Sequence, residues 1–324
     1  MSDDRTILVG DVGGTHARFA VVDVSGPPPW TIREREDLEG AFPTFIDALR
    51  KYFDNGHVKE RPSVAAIAVA GPVNDGTVRF TNRGWVLSEE ELRKFGFQHA
   101  FLLNDFGVLA FAAEILVDQD LRTIGPNVPG HKGGTITILG PGTGFGVSCL
   151  ARYGNRSVPM STEGGHMGFA PSDERELAAL QLMWKQLGRV SVERILSGSG
   201  LETLYKTLEQ LAGRNPKPFT AADVTANAMK SDEGARAALS MFCSIFGAVA
   251  GDLALAHGAR GGVYLAGGIT QKIERFLNES DFRKRFEDKG RLSPFVAAVP
   301  TRLIVNPDVA MLGAARAGSV LASG

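Results

Sequence analysis

An apolar run delivers an acid, two glycines and a hydroxyl into one tight turn at Ile7-Leu8-Val9-Gly10-Asp11-Val12-Gly13-Gly14-Thr15. Paired glycines let backbone N–H groups approach an anion with no Cβ in the way. Thr15 adds a hydroxyl donor, and Asp11 a carboxylate able to hold a metal ion or its water. The composition suits a polyphosphate with Mg²⁺, and equally an ordinary glycine-rich hairpin turn. Similar punctuation recurs at Gly140-Pro141-Gly142-Thr143-Gly144 and at Ala266-Gly267-Gly268-Ile269. Three strand-to-glycine turns are a more specific signal than one. Two hairpin loops can close on a phosphate chain from two sides, and the third can open a helix near a nucleoside.

Two further groups carry chemistry. Asn104-Asp105 follows a short strand and opens a helical segment. A carboxylate there can take a proton from a substrate hydroxyl, and the same pair can simply cap the helix. Glu163 and His166 flank Gly164-Gly165, so a bend can turn both toward one polyol. One nearby histidine without a second ligand spacing makes a poor metal site. Glu193, in the first turn of a short helix, reads on its own as a dipole-favourable surface residue. Cys149 and Cys243 lie outside any ligand spacing, and His57, His99, His131 and His257 show no partner pattern. Trp30, Trp85 and Trp184 read as packing residues, with Trp85 near Asn82 a candidate lining for a sugar.

The elements that must position these groups alternate. The pattern predicts a hairpin over 6–24, a helix over 41–54 and a buried strand over 64–70. It then predicts a hairpin turn at Asp75-Gly76, a helix opened by the capping box Ser88-x-x-Glu91, a strand over 100–103 and a helix over 106–115. Residues 118–134 read as a long connection. A second strand, glycine turn and strand follow over 135–150, the only internal repeat. Helices are expected over 174–187, 191–196, 201–211, 221–229, 235–257 and 309–321, with strands over 262–265 and 301–305.

With 324 residues, 44% hydrophobic and 22% charged, the chain is long enough for one large or two medium domains with buried cores. A net charge of −1 gives no excess for nucleic acid or a membrane surface. No continuous apolar run of membrane-spanning length is seen, and the acidic opening lacks a leader pattern. A cytoplasmic protein is expected.

The glycine turns, Leu103-Asn104-Asp105-Phe106, Glu163-Gly164-Gly165-His166, Ser191-Val192-Glu193-Arg194-Ile195-Leu196-Ser197-Gly198 and Leu265-Ala266-Gly267-Gly268-Ile269 together resemble the actin-like ATPases, or hexokinase/Hsp70 superfamily. Within it they resemble the bacterial glucokinase family, over nearly the whole chain. The resemblance implies an α/β, two-lobed actin-like (ribonuclease H-like) fold with a cleft between lobes. A small lobe is expected over 1–113, with the helix over 305–324 packing back on it, and a large lobe over 114–304. It implies an ATP-dependent hexose kinase that makes glucose 6-phosphate and ADP. Asp105 is then the base, and Asn104, Glu163, His166 and Glu193 contact the sugar. The nucleotide and Mg²⁺ fall to Gly10, Asp11, Val12, Gly13, Gly14, Thr15, Gly142, Thr143, Gly144, Gly267 and Gly268, with Asp11 holding Mg²⁺ through water. It also implies a homodimer. His16 and Gly168 depart from the family pattern, and the zinc-binding cysteines of the related ROK proteins are absent. Rival readings are a kinase of fructose, mannose or an N-acetylhexosamine, and a non-catalytic sugar-sensing regulator. A generic ATPase would leave Asn104, Asp105, Glu163 and His166 unexplained.

Overall fold

A computed structural model describes residues 6–13, 17–38, 42–56, 58, 61–80, 84–154, 156–230 and 232–323. The chain divides into two compact units, 1–120 with 306–324, and 121–305. Residues 114–120 belong with the first unit, beyond the expected boundary at 113/114. There Asp120 accepts the Val117 N–H (3.0 Å) and the Asn306 side-chain amide (2.8 Å).

The first unit opens with β1 (Thr6–Val12), β2 (Ala17–Asp23), β3 (Ile32–Leu38), α1 (Phe45–Asp54) and β4 (Val64–Val69). β5 (Thr77–Arg79), β6 (Val86–Ser88), α2 (Glu89–Phe95), β7 (His99–Asn104) and α3 (Gly107–Ala112) follow. Its sheet runs β3-β2-β1-β4-β7, with β1, β4 and β7 parallel and β2 and β3 antiparallel. β4 (Val-Ala-Ala-Ile-Ala-Val) is buried at every position, as a central parallel strand covered on both faces must be. One face packs on Phe45, Leu49, Tyr52 and Trp85. Pro43 stands before α1 rather than inside it, and the Thr44 hydroxyl caps the helix at the Asp47 N–H. The turn at Asp75-Gly76 has positive φ at both residues (47° and 67°), which is the backbone of a type I′ hairpin. The capping box at Ser88 and Glu91 is present.

The second unit contains β8 (Leu121–Thr123), β9 (Ile136–Pro141), β10 (Phe145–Tyr153), β11 (Arg156–Thr162), α4 (Glu174–Leu187), α5 (Gly198–Leu211), α6 (Ala221–Met229) and α7 (Glu233–Ala256). It continues through β12 (Gly262–Leu265), α8 (Gly268–Lys272), α9 (Glu274–Glu279), α10 (Phe282–Glu287), α11 (Ser293–Ala297) and β13 (Thr301–Ile304). The sheet runs β11-β10-β9-β12-β13-β8. Apart from β8, that order repeats the first sheet: an antiparallel trio, then two parallel strands. The expected helix at 191–196 is a single 3₁₀ turn, Val192–Arg194, closed by Ile195 N–H to Val192 O (3.0 Å). By length and mean hydropathy (1.7) α7 is apolar enough to cross a membrane. In this unit 72% of its apolar window is buried, with Phe242, Phe246 and Leu253 in the core.

The chain returns to the first unit with α12 (Val309–Leu321). Met311, Ala314 and Ala315 pack there on Ile7, Val9, Ala66 and Ala68, the second face of the sheet. Small residues allow this closeness: Gly313 lies against the Val108 carbonyl, where no Cβ fits.

Candidate active site

In the first unit the candidate residues converge on one sheet edge. Register pairs Val12 with Val69 and Val69 with Asn104, so β1, β4 and β7 end level. Two strand spacings separate the Val12-Gly13 turn from Asn104, about 10 Å. The carboxyl edge of parallel strands is where open α/β sheets place ligands. Ala70 N–H to Val12 O and Asp105 N–H to Val69 O (both 3.0 Å) carry the ladder one step past the strands. Gly10 is walled by Ile67 and Phe19, whereas a Cβ on Gly13 would meet nothing within 4 Å. Gly14, Thr15 and His16 lie outside the described residues, as does Asn82.

Asn104 accepts two N–H groups at the start of α3, and Asp105 accepts the next N–H along the chain. Asn104 Oδ1 accepts the N–H groups of Phe106 (2.9 Å) and Gly107 (3.1 Å), and Asp105 Oδ1 also accepts from Phe106 (3.0 Å). Asn104 Nδ2 donates to the Gly71 carbonyl (3.3 Å). These bonds fix both side chains at the strand end. The Asn104 amide nitrogen carries a second N–H beside the one given to Gly71.

Asp11 sits on β1 directly opposite Arg18 on β2, with 3.7 Å between Oδ2 and Nη1. Burial raises its pKa above the ordinary value of 3.8; Arg18 opposes that rise, and the neighbouring Asp37 and Asp308 add to it. Arg35 also opposes the rise, so burial is its main cause. Mg²⁺ is commonly held by one or two carboxylates, several waters and substrate phosphates. One such carboxylate is what this edge offers. Among the described residues no cluster of three His, Cys, Asp or Glu side chains could hold a metal alone. The single carboxylate of Asp11 at this edge fits an ion held mainly by water and substrate phosphates.

In the second unit Phe145, the first residue of β10, joins the candidates. Its N–H donates to Glu193 Oε2 (2.9 Å), and its carbonyl lies where a Cβ on Gly165 would stand. A Cβ on Gly164 would come within 3.1 Å of the Val147 side chain. The Glu163–His166 bend therefore lies flat on β10, and Glu193 is tied to the same strand. His166 Nε2 and Glu163 Oε2 are 3.9 Å apart, and both side chains are exposed. Arg189 Nη2 anchors the bend at the His166 carbonyl (2.6 Å). The surface reading of Glu193 is corrected here: it is half-buried and hydrogen-bonded across 48 residues. Gly168 forms a bridge with Ser191, and a side chain added there would meet open space.

The two glycine turns of this unit also meet. A Cβ on Gly140 would overlap the Ala266 carbonyl, and one on Gly267, at φ 90°, would overlap the Pro141 carbonyl. Gly198 N–H donates to Gly142 O (3.0 Å), and Gly142 N–H closes the loop on Gly144 O (2.8 Å). Thr143 is left exposed at the tip. Only glycine permits this backbone-on-backbone contact between the ends of parallel strands β9 and β12.

The remaining candidates are structural. Burial pushes the thiols up, Cys149 to about 11 and Cys243 to about 12, so neither is a ready nucleophile or ligand. Trp85 is buried and donates Nε1–H to the Phe42 carbonyl (2.9 Å), as a packing residue. His257 has a partner the spacing did not reveal, Thr137 Oγ1 at 2.9 Å from Nδ1.

The sequence profile of the glucokinase family matches residues 8–320. The chain belongs to the glucokinase family. It is 46% identical over 309 residues to a glucokinase of Caulobacter sp. strain K31, covering 95% of this chain and 93% of that one. The crystal structure of a glucokinase from an Antarctic psychrotroph superposes with a TM-score of 0.89 at 35% identity, over 98% of this chain and 99% of that one. A ROK-family glucokinase from Streptomyces griseus, solved with glucose and AMPPNP, shares the fold at a TM-score of 0.62 and 18% identity, over 97% and 99%. The fold of this glucokinase-family chain is accordingly the two-lobed actin-like ATPase fold. The structure adds residues that the motifs did not name: Phe145, through its backbone, and the charged partners of Asp11. Five charges in β3, Arg33 to Asp37, were the available signal for the latter.

Proposed function

We propose that this chain transfers the γ-phosphoryl group of ATP to the 6-hydroxyl of D-glucose, giving glucose 6-phosphate and ADP. An ATP-dependent hexose kinase is the activity of its family, and the Streptomyces griseus relative was crystallised with the corresponding ligand pair. The observation that carries the reading is the level ending of β1 and β7. It puts a carboxylate, Asp105, about two strand spacings from a bare glycine turn.

In this reading Asp105 accepts the proton of the 6-hydroxyl as its oxygen attacks phosphorus. Asn104, Glu163, His166 and Glu193 hold the ring hydroxyls. Glu193 is pre-set by its bond to Phe145, and Glu163 and His166 by the bend on β10. Gly10, Val12, Gly13, Gly14 and Thr15, with Gly142, Thr143 and Gly144, offer N–H and hydroxyl donors to the phosphates. Gly267 and Gly268 take the adenosine side. Asp11 would hold Mg²⁺ through water, and the ion supplies charge neutralisation to the phosphates. Catalysis is then chiefly positioning and electrostatics, with little covalent chemistry for the protein to perform.

A homodimer in the cytoplasm completes the proposal. Leu177, Trp184 and Leu187, exposed on α4, are the kind of surface that a second copy covers. The functional test is ADP release from MgATP with glucose, fructose, mannose, N-acetylglucosamine or no sugar. Release that depends on glucose supports the reading. Release with another hexose alone reassigns the substrate, and none with any sugar overturns the kinase assignment.

A further inference from the structure

Asp11 is the end of a chain of alternating charges that reaches the C-terminal segment. Arg18 faces Asp11 on one side and Asp37 on the other in strict register across β1, β2 and β3. Its guanidinium is 3.7 Å from Asp11 Oδ2 and 3.8 Å from Asp37 Oδ1. Arg35, two residues before Asp37, grips it through Nε (3.3 Å) and Nη2 (3.4 Å). The same guanidinium bonds Asp308, which lies three residues inside the segment returning to this unit at Asn306. Asp308 is itself fixed by its N–H to Asn306 Oδ1 (2.8 Å), and Asn306 by Asp120 (2.8 Å).

We infer that Asp37, fastened by Arg35 to Asp308, is a positioning residue for the nucleotide site: it holds Arg18, and through Arg18 the carboxylate of Asp11. The inference rests on the Mg²⁺ role proposed for Asp11. The geometry gives the reason. At 3.7 Å Arg18 orients Asp11 by charge without a hydrogen bond to its oxygen. Left to itself, a long guanidinium beside one carboxylate would close on it and compete with an incoming cation. Asp37 pulls from the opposite side and keeps the guanidinium between the two acids. The series of three carboxylates and two guanidiniums carries one net negative charge, and a divalent cation at the Asp11 end continues the alternation. All five side chains are roughly one-quarter to one-half exposed. Such pairs add little to folding stability, so a large effect of Asp37 on nucleotide binding would not be a stability effect. Partners that orient a metal-holding side chain typically change metal affinity about 10–100-fold when removed.

The experiment is calorimetric binding of ADP to the full chain with and without Mg²⁺, for wild type and for Asp11→Asn, Asp37→Asn, Arg35→Gln, Asp37→Glu and the control Arg33→Gln. The quantity read is the gain in ADP affinity that Mg²⁺ provides. Asp37→Asn and Arg35→Gln are expected to cut that gain about tenfold, with ADP affinity in EDTA, glucose affinity and melting temperature unchanged. Asp37→Glu restores part of it, and Arg33→Gln, which pairs with Asp23, leaves it intact. If Asp11→Asn abolishes the gain while Asp37→Asn keeps it, the positioning role is overturned and the Asp11 assignment stands. If Asp11→Asn keeps the gain, the assignment falls and the positioning role with it. Equal losses with and without Mg²⁺ in Asp37→Asn also overturn the inference, since they would mark a general disturbance of the turn.

Discussion

At Asp105 the carboxylate accepts the Phe106 N–H, and its own N–H is tied to Val69. Replacing it leaves the strand ladder in place, because the ladder uses backbone groups. Asp105→Ala should therefore keep glucose and ADP affinity within a few-fold while turnover falls by about 10²–10⁴, the ordinary loss for a general base. Near-normal turnover, read by coupled ADP release, would remove Asp105 from the mechanism. A second residue answers to pH rather than to substrate. Burial beside Thr137 lowers the pKa of His257 from 6.5, so the native state resists the proton that the unfolded chain accepts. The sign follows: between the unfolded pKa and the lower native one the unfolded state binds more protons, and stability falls as pH drops below about 6.5. A non-titrating His257→Gln variant should show a shallower loss of stability between pH 7 and pH 5 in urea melts. Parallel curves for the two proteins would mean that His257 does not contribute to that slope.

Among the elements, glycine turns were legible and their packing was not. The glycine turns after β9 and β12, the capping box at Ser88 and the Asp75-Gly76 hairpin follow from local chemistry and appear where the residues place them, while the turn after β1 is described only to Gly13. β3 was missed because Arg33, Glu34, Arg35, Glu36 and Asp37 offer no apolar alternation. β8 has 3 residues, and α9, α10 and α11 have 6, 6 and 5, too few to complete a helical period worth reading. The contacts of Phe145 with Glu193 and Gly165, and of Arg35 with Asp308, join segments that no local pattern links. Two glycines separate the two roles such turns can play. Gly13→Ala meets open space, so the fold should be unaffected, while the added methyl obstructs an approaching phosphate and raises the KM for ATP. Gly140→Ala drives a Cβ into the Ala266 carbonyl, and should cost about 1–3 kcal/mol of stability in urea melts. If Gly13→Ala is instead the destabilised variant and binds ATP normally, that turn is structural and not a phosphate cradle.

At the scale of the whole molecule, the first unit is interrupted in sequence by the second, and its second core face is supplied last. Ile7, Val9, Val64, Ala66 and Ala68 are covered by Met311, Ala314 and Ala315 of α12. The second unit has a separate core, built on α7 with Phe246, Phe282 and Phe286. Damage to α12 should accordingly be felt in β1 and β4 and not in β9 or β12. Gly313→Val tests this, because its side chain has to displace the Val108 carbonyl and the Ala112 methyl, a backbone clash that rotamer changes cannot relieve. Overpacking of that kind costs about 1–3 kcal/mol, occasionally more. In hydrogen exchange read by mass spectrometry, peptides from β1, β4 and α3 should lose protection, while peptides from α7, β9 and β12 keep theirs. Equal loss in both sets would show that the two cores unfold as one cooperative body, and that the second unit depends on α12 as much as the first.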